Sequence, residues 1–93
     1  MEYSILIEPE AKEDLKSIFN YIKDNGSIHA ARDFLSQLKN KINSLSFMPQ
    51  RYRKSLYHID ENTKDLIYKG YIISYYILNS TVHIVAVFRQ RNY

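Results

Sequence analysis

The sequence contains no cysteine, no tryptophan, and only two glycines and two prolines among its 93 residues. The absence of cysteine excludes disulfides, a thiolate nucleophile and any zinc site built on cysteine. Two glycines are too few for a glycine-rich phosphate-binding loop, and no serine stands in a nucleophile-elbow motif. The histidines lack the spacing of a metal site, so we expect neither a metal nor a cofactor; they are His29, His58 and His83.

Long apolar runs are also absent. No run approaches the roughly 20 residues of a membrane-spanning helix, and the start, Met1-Glu2-Tyr3, is unlike a signal peptide. We therefore expect a cytoplasmic protein that does not associate with membranes. Hydrophobic residues make up 45% of the chain and aromatic residues 14%, which predicts a single folded domain over residues 1–93.

Positive charge is concentrated in the second half of the chain. Residues 1–50 hold six Lys/Arg and seven Asp/Glu, whereas residues 51–93 hold seven Lys/Arg and three Asp/Glu. A basic half can bind a polyanion, but a solvated basic face of a small protein has the same composition. Charge alone leaves both interpretations open.

The last third of the chain predicts three antiparallel strands. Asn79-Ser80 and Lys69-Gly70 are two-residue turns between apolar runs. The first turn predicts the apolar pairs Ile77–Val82, Tyr75–Ile84, Ile73–Ala86 and Tyr71–Phe88, and the second turn adds Leu66 and Tyr68 to that face. The opposite face is mixed in character and is predicted to carry Tyr76–His83, Ser74–Val85, Ile72–Val87, Arg89 and Arg91.

The first half predicts one strand and two helices. Tyr3, Ile5 and Ile7 alternate with other residues, as in a strand with one apolar face, and Pro9 then favours the first turn of a helix. The helix has its apolar stripe at Ala11, Leu15, Ile18, Phe19 and Ile22 and ends at Asn25-Gly26. Ser27 can cap a second helix with the stripe Ala31, Phe34, Leu35, Leu38, Ile42 and Leu45.

These elements predict an α+β fold with two layers. An antiparallel helical hairpin covers one face of a mainly antiparallel sheet, in the order β-α-α-β-β-β, because both apolar surfaces need a cover. The mixed face is expected to be open to solvent or to a ligand. Phe47-Met48-Pro49 is expected to be an anchored helix exit, and residues 51–54 to lie in a loop that enters the sheet.

Two basic and aromatic segments are the candidate site. Arg51, Tyr52, Arg53 and Lys54 enter the sheet, whereas Arg89, Arg91 and Tyr93 leave it, so the two segments can meet at one rim of the mixed face. Such a set suits RNA, because cations neutralise phosphates and tyrosine rings stack on bases. It also suits RNA cleavage, which needs a proton acceptor, a proton donor and positive charge at the phosphate. The alternative is a frayed polar tail beside a packing tyrosine.

The order and spacing of several short segments resemble the RelE/ParE superfamily, the toxin halves of bacterial type II toxin–antitoxin pairs. The segments run along the whole chain: Glu10-Ala11-Lys12-Glu13-Asp14-Leu15, Ile18, Tyr21-Ile22, Ala30-Ala31, Phe34, Leu38, Phe47-Met48-Pro49, Tyr52-Arg53-Lys54-Ser55, Lys69-Gly70-Tyr71-Ile72-Ile73 and Val85-Ala86-Val87-Phe88-Arg89-Gln90-Arg91. The resemblance implies a RelE/ParE-like fold, a growth-inhibiting toxin and a hetero-oligomer with an antitoxin that wraps it.

The superfamily has two kinds of target. RelE-like members cut mRNA in the ribosomal A site, which would make Arg53, Lys54, Arg89, Arg91 and Tyr93 catalytic, whereas ParE-like members inhibit DNA gyrase. Phe88 stands where many RelE-like relatives have a histidine, and Tyr-Arg-Lys-Ser and Lys-Gly-Tyr are closer to the ParE-like branch. We favour gyrase as the target. The residues expected to bind a nucleic acid or the target are Arg51, Tyr52, Arg53, Lys54, Arg89 and Arg91. Ribosome-dependent cleavage and a non-toxic RNA- or protein-binding module remain alternatives, and enzymatic activity is left open.

Overall fold

A five-stranded sheet carries two helices on one of its faces in the computed structural model, which describes residues 2–56 and 62–90. The elements are β1 (Ser4–Ile7), α1 (Pro9–Asn25), α2 (Ile28–Asn43), β2 (Arg53–Lys54), β3 (Lys64–Tyr68), β4 (Tyr71–Leu78) and β5 (Thr81–Arg89), with 3₁₀ turns at Ser44–Ser46 and Pro49–Arg51. The strand order is β1-β5-β4-β3-β2, with β1 parallel to β5 and the other neighbours antiparallel. The predicted α+β fold and its mainly antiparallel sheet are confirmed.

Both helices begin, and α1 ends, where the sequence predicts. Pro9 occupies the first turn of α1, and the Ser27 hydroxyl accepts a hydrogen bond from the backbone N–H of Ala30 at 3.1 Å. The apolar stripes point toward the sheet, and their buried members are Ala11, Leu15 and Ile18 on α1 and Ala31, Leu38 and Ile42 on α2. No helix in the described parts of the chain is long and apolar enough to cross a membrane.

The core lies between the helical hairpin and the sheet. Its sheet side consists of Leu66, Ile73, Tyr75, Val82, Ile84 and Val87, all of which are at most 2% exposed. Ile5 and Ile7 of β1, and Tyr3 just before it, pack against the same cluster, as their alternation predicts. We call the opposite surface of the sheet the outer face.

Both tight turns have the backbone conformation expected for two-residue hairpin loops. Asn79 and Ser80 have φ of 51° and 61°, and Lys69 and Gly70 have φ of 47° and 83°. Positive φ at both central residues defines the type I′ turn, whose twist matches that of the flanking strands. The pairs next to the turns follow the predicted register, including Tyr68↔Tyr71, Leu66↔Ile73 and Tyr75↔Ile84.

A β-bulge in β5 overturns the predicted register beyond Tyr75↔Ile84. Val85 has no partner on β4, so the next pairs are Ser74↔Ala86, Ile73↔Val87, Ile72↔Phe88 and Tyr71↔Arg89. One extra residue reverses the alternation of all later side chains. The predicted pairs Ile73–Ala86, Tyr71–Phe88, Ser74–Val85 and Ile72–Val87 are therefore wrong. Val87 faces the helices, Phe88 lies on the outer face, and Arg89 lies on the helix side of the sheet.

The outer face is also less open than predicted. Its central residues Ile72 and Ser74 are 0% exposed, and Asp65 is 2% exposed. The Asp65 carboxylate accepts hydrogen bonds from the Ser74 hydroxyl at 2.8 Å and from the Leu56 N–H at 3.3 Å. The backbone that leaves β2 therefore lies over this face. A second correction concerns Arg53–Lys54, which is predicted to be loop but forms β2 and pairs with β3.

The two faces can be tested with two isoleucines on adjacent strands. Ile73 is fully buried in the core, whereas Ile67 is 41% exposed on the outer face. We expect Ile73→Ala to lower the free energy of unfolding by about 2–5 kcal/mol, because it removes core packing and leaves a cavity. Ile67→Ala should cost only about 1 kcal/mol. Urea denaturation followed by circular dichroism measures both, and equal losses would contradict the assignment of faces.

Candidate functional site

The first basic segment lies at the edge of the sheet. Arg51 ends a 3₁₀ turn, and Arg53 and Lys54 form the outermost strand, β2. All three side chains are exposed, whereas Tyr52 is half-buried. Arg53 pairs with Asp65 and therefore belongs to the outer face, while Lys54 pairs with Lys64. The structure thus presents three of the predicted cations along one edge.

This segment is anchored to the core through aromatic rings. The Arg51 guanidinium stacks on the Tyr52 ring at 4.9 Å and donates to its hydroxyl at 3.1 Å. The Tyr52 ring meets Tyr75 edge to face, with centroids 6.4 Å apart. The Tyr75 hydroxyl donates to the Pro49 carbonyl at 2.5 Å. A chain of contacts therefore connects the buried sheet to the surface cation.

Tyr75 serves as a structural hydrogen-bond donor in this arrangement. Burial raises the pKa of its hydroxyl well above the usual value near 10; Tyr52 adds to the rise and Arg51 opposes it. The phenol therefore remains protonated at neutral pH and keeps its hydrogen bond to Pro49. It cannot act as the proton acceptor that RNA cleavage needs.

Large apolar side chains flank the basic residues. Phe47 is 58% exposed, Met48 is 56% exposed and Leu56 is 73% exposed. Met48 has a φ of 48°, a left-handed conformation that costs a residue with a side chain about 1–2 kcal/mol. The predicted helix exit is anchored by the buried Pro49, while Phe47 and Met48 point to solvent. We call residues 47–56 the edge segment.

Arg89, the described residue of the second basic segment, lies apart from the first segment. Because of the bulge, Arg89 lies on the helix side of the sheet, whereas Arg53 belongs to the outer face. The prediction that the two segments share one rim of the mixed face is therefore wrong for Arg89. Arg91 and Tyr93 lie outside the described residues. Arg89 instead lines a cavity of about 330 Å³ with Tyr21, Lys69, Gly70, Tyr71 and Gln90.

The outer face also carries an acid–base pair that was not among the candidates from the sequence. The His83 Nδ1 atom lies 3.0 Å from the Glu8 Oε1 atom, and the His83 ring stacks on Tyr76 with centroids 4.6 Å apart. The pair joins residues 75 positions apart, so no local motif announces it. No cluster of three or more metal-ligand side chains occurs within residues 2–56 and 62–90.

The helical hairpin has an apolar groove at its surface. A cavity of about 500 Å³ is lined by Ile7, Leu15, Phe19 and Leu35 and by the lysines Lys12, Lys16 and Lys39. Phe19 and Leu35 belong to the predicted apolar stripes but are only half-buried. The apolar stripes are therefore wider than the sheet can cover. In the sequence, this groove is indicated by the extra width of the two stripes. We call it the helical groove.

The buried hydroxyl of Tyr75 predicts how stability changes with pH. The pKa of this hydroxyl is higher in the folded chain than in the unfolded chain. Its contribution to the free energy of unfolding is therefore full below about pH 10 and is lost as the pH rises further. Tyr75→Phe should be less stable than the wild type by about 1–3 kcal/mol at pH 8, because the Pro49 carbonyl loses its donor. Above pH 10 the stability of Tyr75→Phe should fall less steeply with pH than that of the wild type. The two slopes should differ by about 1.4 kcal/mol per pH unit.

Urea midpoints between pH 8 and pH 11 measure this difference. Tyr21→Phe is the matched control, because Tyr21 is 52% exposed and has no hydrogen bond from its hydroxyl among the described residues. The control should follow the wild-type pH profile. Parallel profiles for Tyr75→Phe and the wild type would contradict the role given to burial.

Comparison with known proteins identifies the family to which this chain belongs. The model of the ParE toxin of the type II toxin–antitoxin system, parDE, matches residues 5–93. Comparison with curated proteins gives no match. A solved structure of the chromosomal ParDE system from P. aeruginosa has a TM-score of 0.84 at 11% identity, covering 97% of this chain and 98% of that one.

A second solved structure is the toxin–antitoxin complex RelBE2 from Mycobacterium tuberculosis. Its TM-score is 0.74 at 20% identity, with 99% of this chain and 95% of that chain covered. At these identities the two structures establish the shared fold, and the family model, which spans nearly the whole sequence, establishes the family. The chain belongs to the ParE toxin family of type II toxin–antitoxin systems.

Proposed function

We propose that this toxin arrests bacterial growth by binding DNA gyrase through its edge segment, and that it does not cut RNA. The proposal rests first on the separation of the cations. Cleavage through the 2′-hydroxyl needs an acceptor, a donor and positive charge around one phosphate. Among the described residues, Arg53 and Arg89 lie on different sides of the sheet, and the centre of the outer face is filled by Ile72 and Ser74.

The edge segment has the composition of a protein-binding surface. Exposed aromatic and methionine side chains beside arginine are enriched where proteins meet, and a few such residues carry most of the binding energy. Here Phe47 and Met48 stand beside Arg51, whose Nη1 atom donates to the Phe47 carbonyl at 3.3 Å. Its anchoring through Tyr52 and Tyr75 reduces the entropy lost on binding. These features support a protein target.

Inhibition of gyrase supercoiling by the purified protein tests the proposal. We expect the double variant Phe47→Ala/Arg53→Ala to need at least about tenfold more protein for half-inhibition, because two interface contacts worth about 1.4 kcal/mol together would be lost. Arg32→Gln is the control; it removes an exposed arginine of α2, away from the edge segment. An unchanged requirement for the double variant would contradict the proposed surface.

The same protein, added to programmed ribosomes, tests the alternative. We expect intact mRNA by primer extension. Cuts at A-site codons that disappear in Arg91→Ala would instead identify a RelE-like ribonuclease. A protein that neither inhibits gyrase nor cuts mRNA, and that cells express freely without a partner, would be a non-toxic binding module.

We also propose that the cognate antitoxin docks in the helical groove as an acidic amphipathic helix. Apolar side chains would fill the floor formed by Leu15, Phe19 and Leu35, and carboxylates would pair with the lysines at its rim. Among the residues that the structure describes, the groove lining contains three lysines and no carboxylate, which gives the charge complementarity for an acidic partner. The resulting complex would be a toxin–antitoxin hetero-oligomer.

Charge reversal at the groove tests this docking. Lys16→Glu/Lys39→Glu should weaken binding of the cognate antitoxin by at least about tenfold, because attraction becomes repulsion. The control Lys23→Glu/Arg32→Glu makes the same charge change on the same two helices, outside the groove. Calorimetry of the purified pairs gives both affinities. Equal weakening by the two double variants would exclude the groove as the docking site.

A further inference from the structure

The cavity around Arg89 lies apart from the edge segment and the helical groove. Its lining comes from α1 (Tyr21), from the β3–β4 turn and start of β4 (Lys69, Gly70 and Tyr71), and from the end of β5 (Arg89 and Gln90). The bulge at Val85 creates this assembly, because without it Arg89 would point to the outer face. With it, Arg89 is the partner of Tyr71 on the side where α1 lies. We call this the β5-exit cavity.

We propose that the β5-exit cavity binds the phosphate monoester of a nucleotide. This inference does not depend on the gyrase proposal, because no residue of the edge segment lines the cavity. It rests on the hydrogen-bonding capacity of the lining, on its charge and on its fixed geometry.

The side chains that line the cavity offer mainly donors. Neither the guanidinium of Arg89 nor the hydroxyls of Tyr21 and Tyr71 have a hydrogen-bond partner in the described parts of the chain. The Lys69 ammonium donates to the Gln37 Oε1 atom at 2.8 Å, which leaves two of its three N–H groups. Among the described residues, no carboxylate belongs to the lining. Two cations in such a lining favour an anion that accepts several hydrogen bonds.

The backbone around the cavity is held by identified contacts. The Gln90 N–H donates to the Gly70 carbonyl at 2.7 Å, which joins the end of β5 to the β3–β4 turn. The Tyr71 ring packs against Phe34 of α2 with centroids 5.3 Å apart. Gln37 also accepts a hydrogen bond from the Tyr68 hydroxyl at 2.8 Å, which fixes the amide that positions Lys69. The site is therefore largely preorganised, which reduces the cost of binding.

The charge and size of the cavity favour a terminal phosphate. A phosphate monoester carries a charge near −2 at neutral pH, which matches one arginine and one lysine, whereas a backbone phosphodiester carries −1. The planar fork of Arg89 fits two phosphate oxygens. A volume of about 330 Å³ is at the small end of the range for ligand sites and exceeds that of a phosphate alone. The exposed ring of Tyr21 offers a stacking surface for the base.

Titration of the ¹⁵N-labelled protein with inorganic phosphate and then with AMP tests the site, with sodium chloride at equal ionic strength as the reference. We expect saturable shifts at the amides of Gly70, Tyr71 and Gln90, tighter binding of AMP than of phosphate, and no binding of adenosine. The absence of saturable shifts at these amides, or equal binding of adenosine and AMP, would overturn the proposal.

Variants of the lining residues test whether the phosphate of AMP binds in this cavity. Arg89→Gln should weaken AMP binding at least about tenfold, Arg89→Lys should retain part of the affinity, and Tyr21→Phe should weaken it a few fold. Arg32→Gln should bind as the wild type does, since it removes the same charge elsewhere. Equal weakening by Arg32→Gln would show non-specific attraction and overturn the site. Thermal melts verify that Arg89→Gln folds, and inhibition of supercoiling by that variant separates this inference from the gyrase proposal.

Two sources of the phosphate are distinguished by short single-stranded oligonucleotides. A 5′-phosphorylated strand that binds more tightly than AMP would identify a nucleic-acid end, and AMP that binds as well as the strand would identify a free nucleotide. Both outcomes support a monoester site. If the 5′-hydroxyl strand bound as well as the phosphorylated one, backbone charge would explain the attraction and the proposal would be wrong.

Discussion

Val85 has no partner on β4, and this extra residue in β5 decides which side chains the two faces of the sheet present. Before it, Val82 and Ile84 point to the helices; after it, Val87 takes over that role. An unbroken alternation would place Phe88 against the helices and turn Val87 and Arg89 to the outer face. The bulge therefore keeps the core continuous, and it places Arg89 beside Tyr71 and α1.

The contact between Tyr75 and Pro49 extends the core to the edge of the sheet. The hydroxyl of a buried tyrosine needs a partner, and the carbonyl of Pro49 supplies it at 2.5 Å. This hydrogen bond holds the turn that follows the left-handed Met48, and Tyr52 with Arg51 packs on the same ring. Conformational strain at Met48 is thereby offset by buried contacts, and Phe47 and Met48 remain exposed.

The three surfaces are built from different parts of the fold. The edge segment comprises the outermost strand and the turn before it. The helical groove lies between the two helices and β1, and the β5-exit cavity is formed by α1, a strand end and a turn. Most residues of the edge segment and of the β5-exit cavity are exposed, as are the three lysines of the helical groove, so changes at these positions affect recognition more than folding. One small core thus carries the three separate surfaces for which we propose a target, an antitoxin and a small ligand.

The features that the sequence by itself determined are local ones. The two turns, both ends of α1, the start of α2 and the pairs nearest the Asn79-Ser80 turn depend on neighbouring residues, through φ preferences, capping and alternation. The quoted segments also sufficed to suggest the superfamily. Among the candidate residues, the exposure of Arg51, Arg53 and Lys54 and the partial burial of Tyr52 agree with a basic surface that is held by an aromatic ring.

Other features were decided only by the tertiary structure. The bulge, the pairing of β2 with β3, the burial of Ile72 and Ser74, and the contact between Glu8 and His83 join residues that are distant in the sequence. No local pattern encodes them, because an extra residue in a strand is favoured by packing across the sheet and not by the propensity of Val85 itself. For that reason the types of residue in the candidate site were predictable, but the side of the sheet on which Arg89 lies was not.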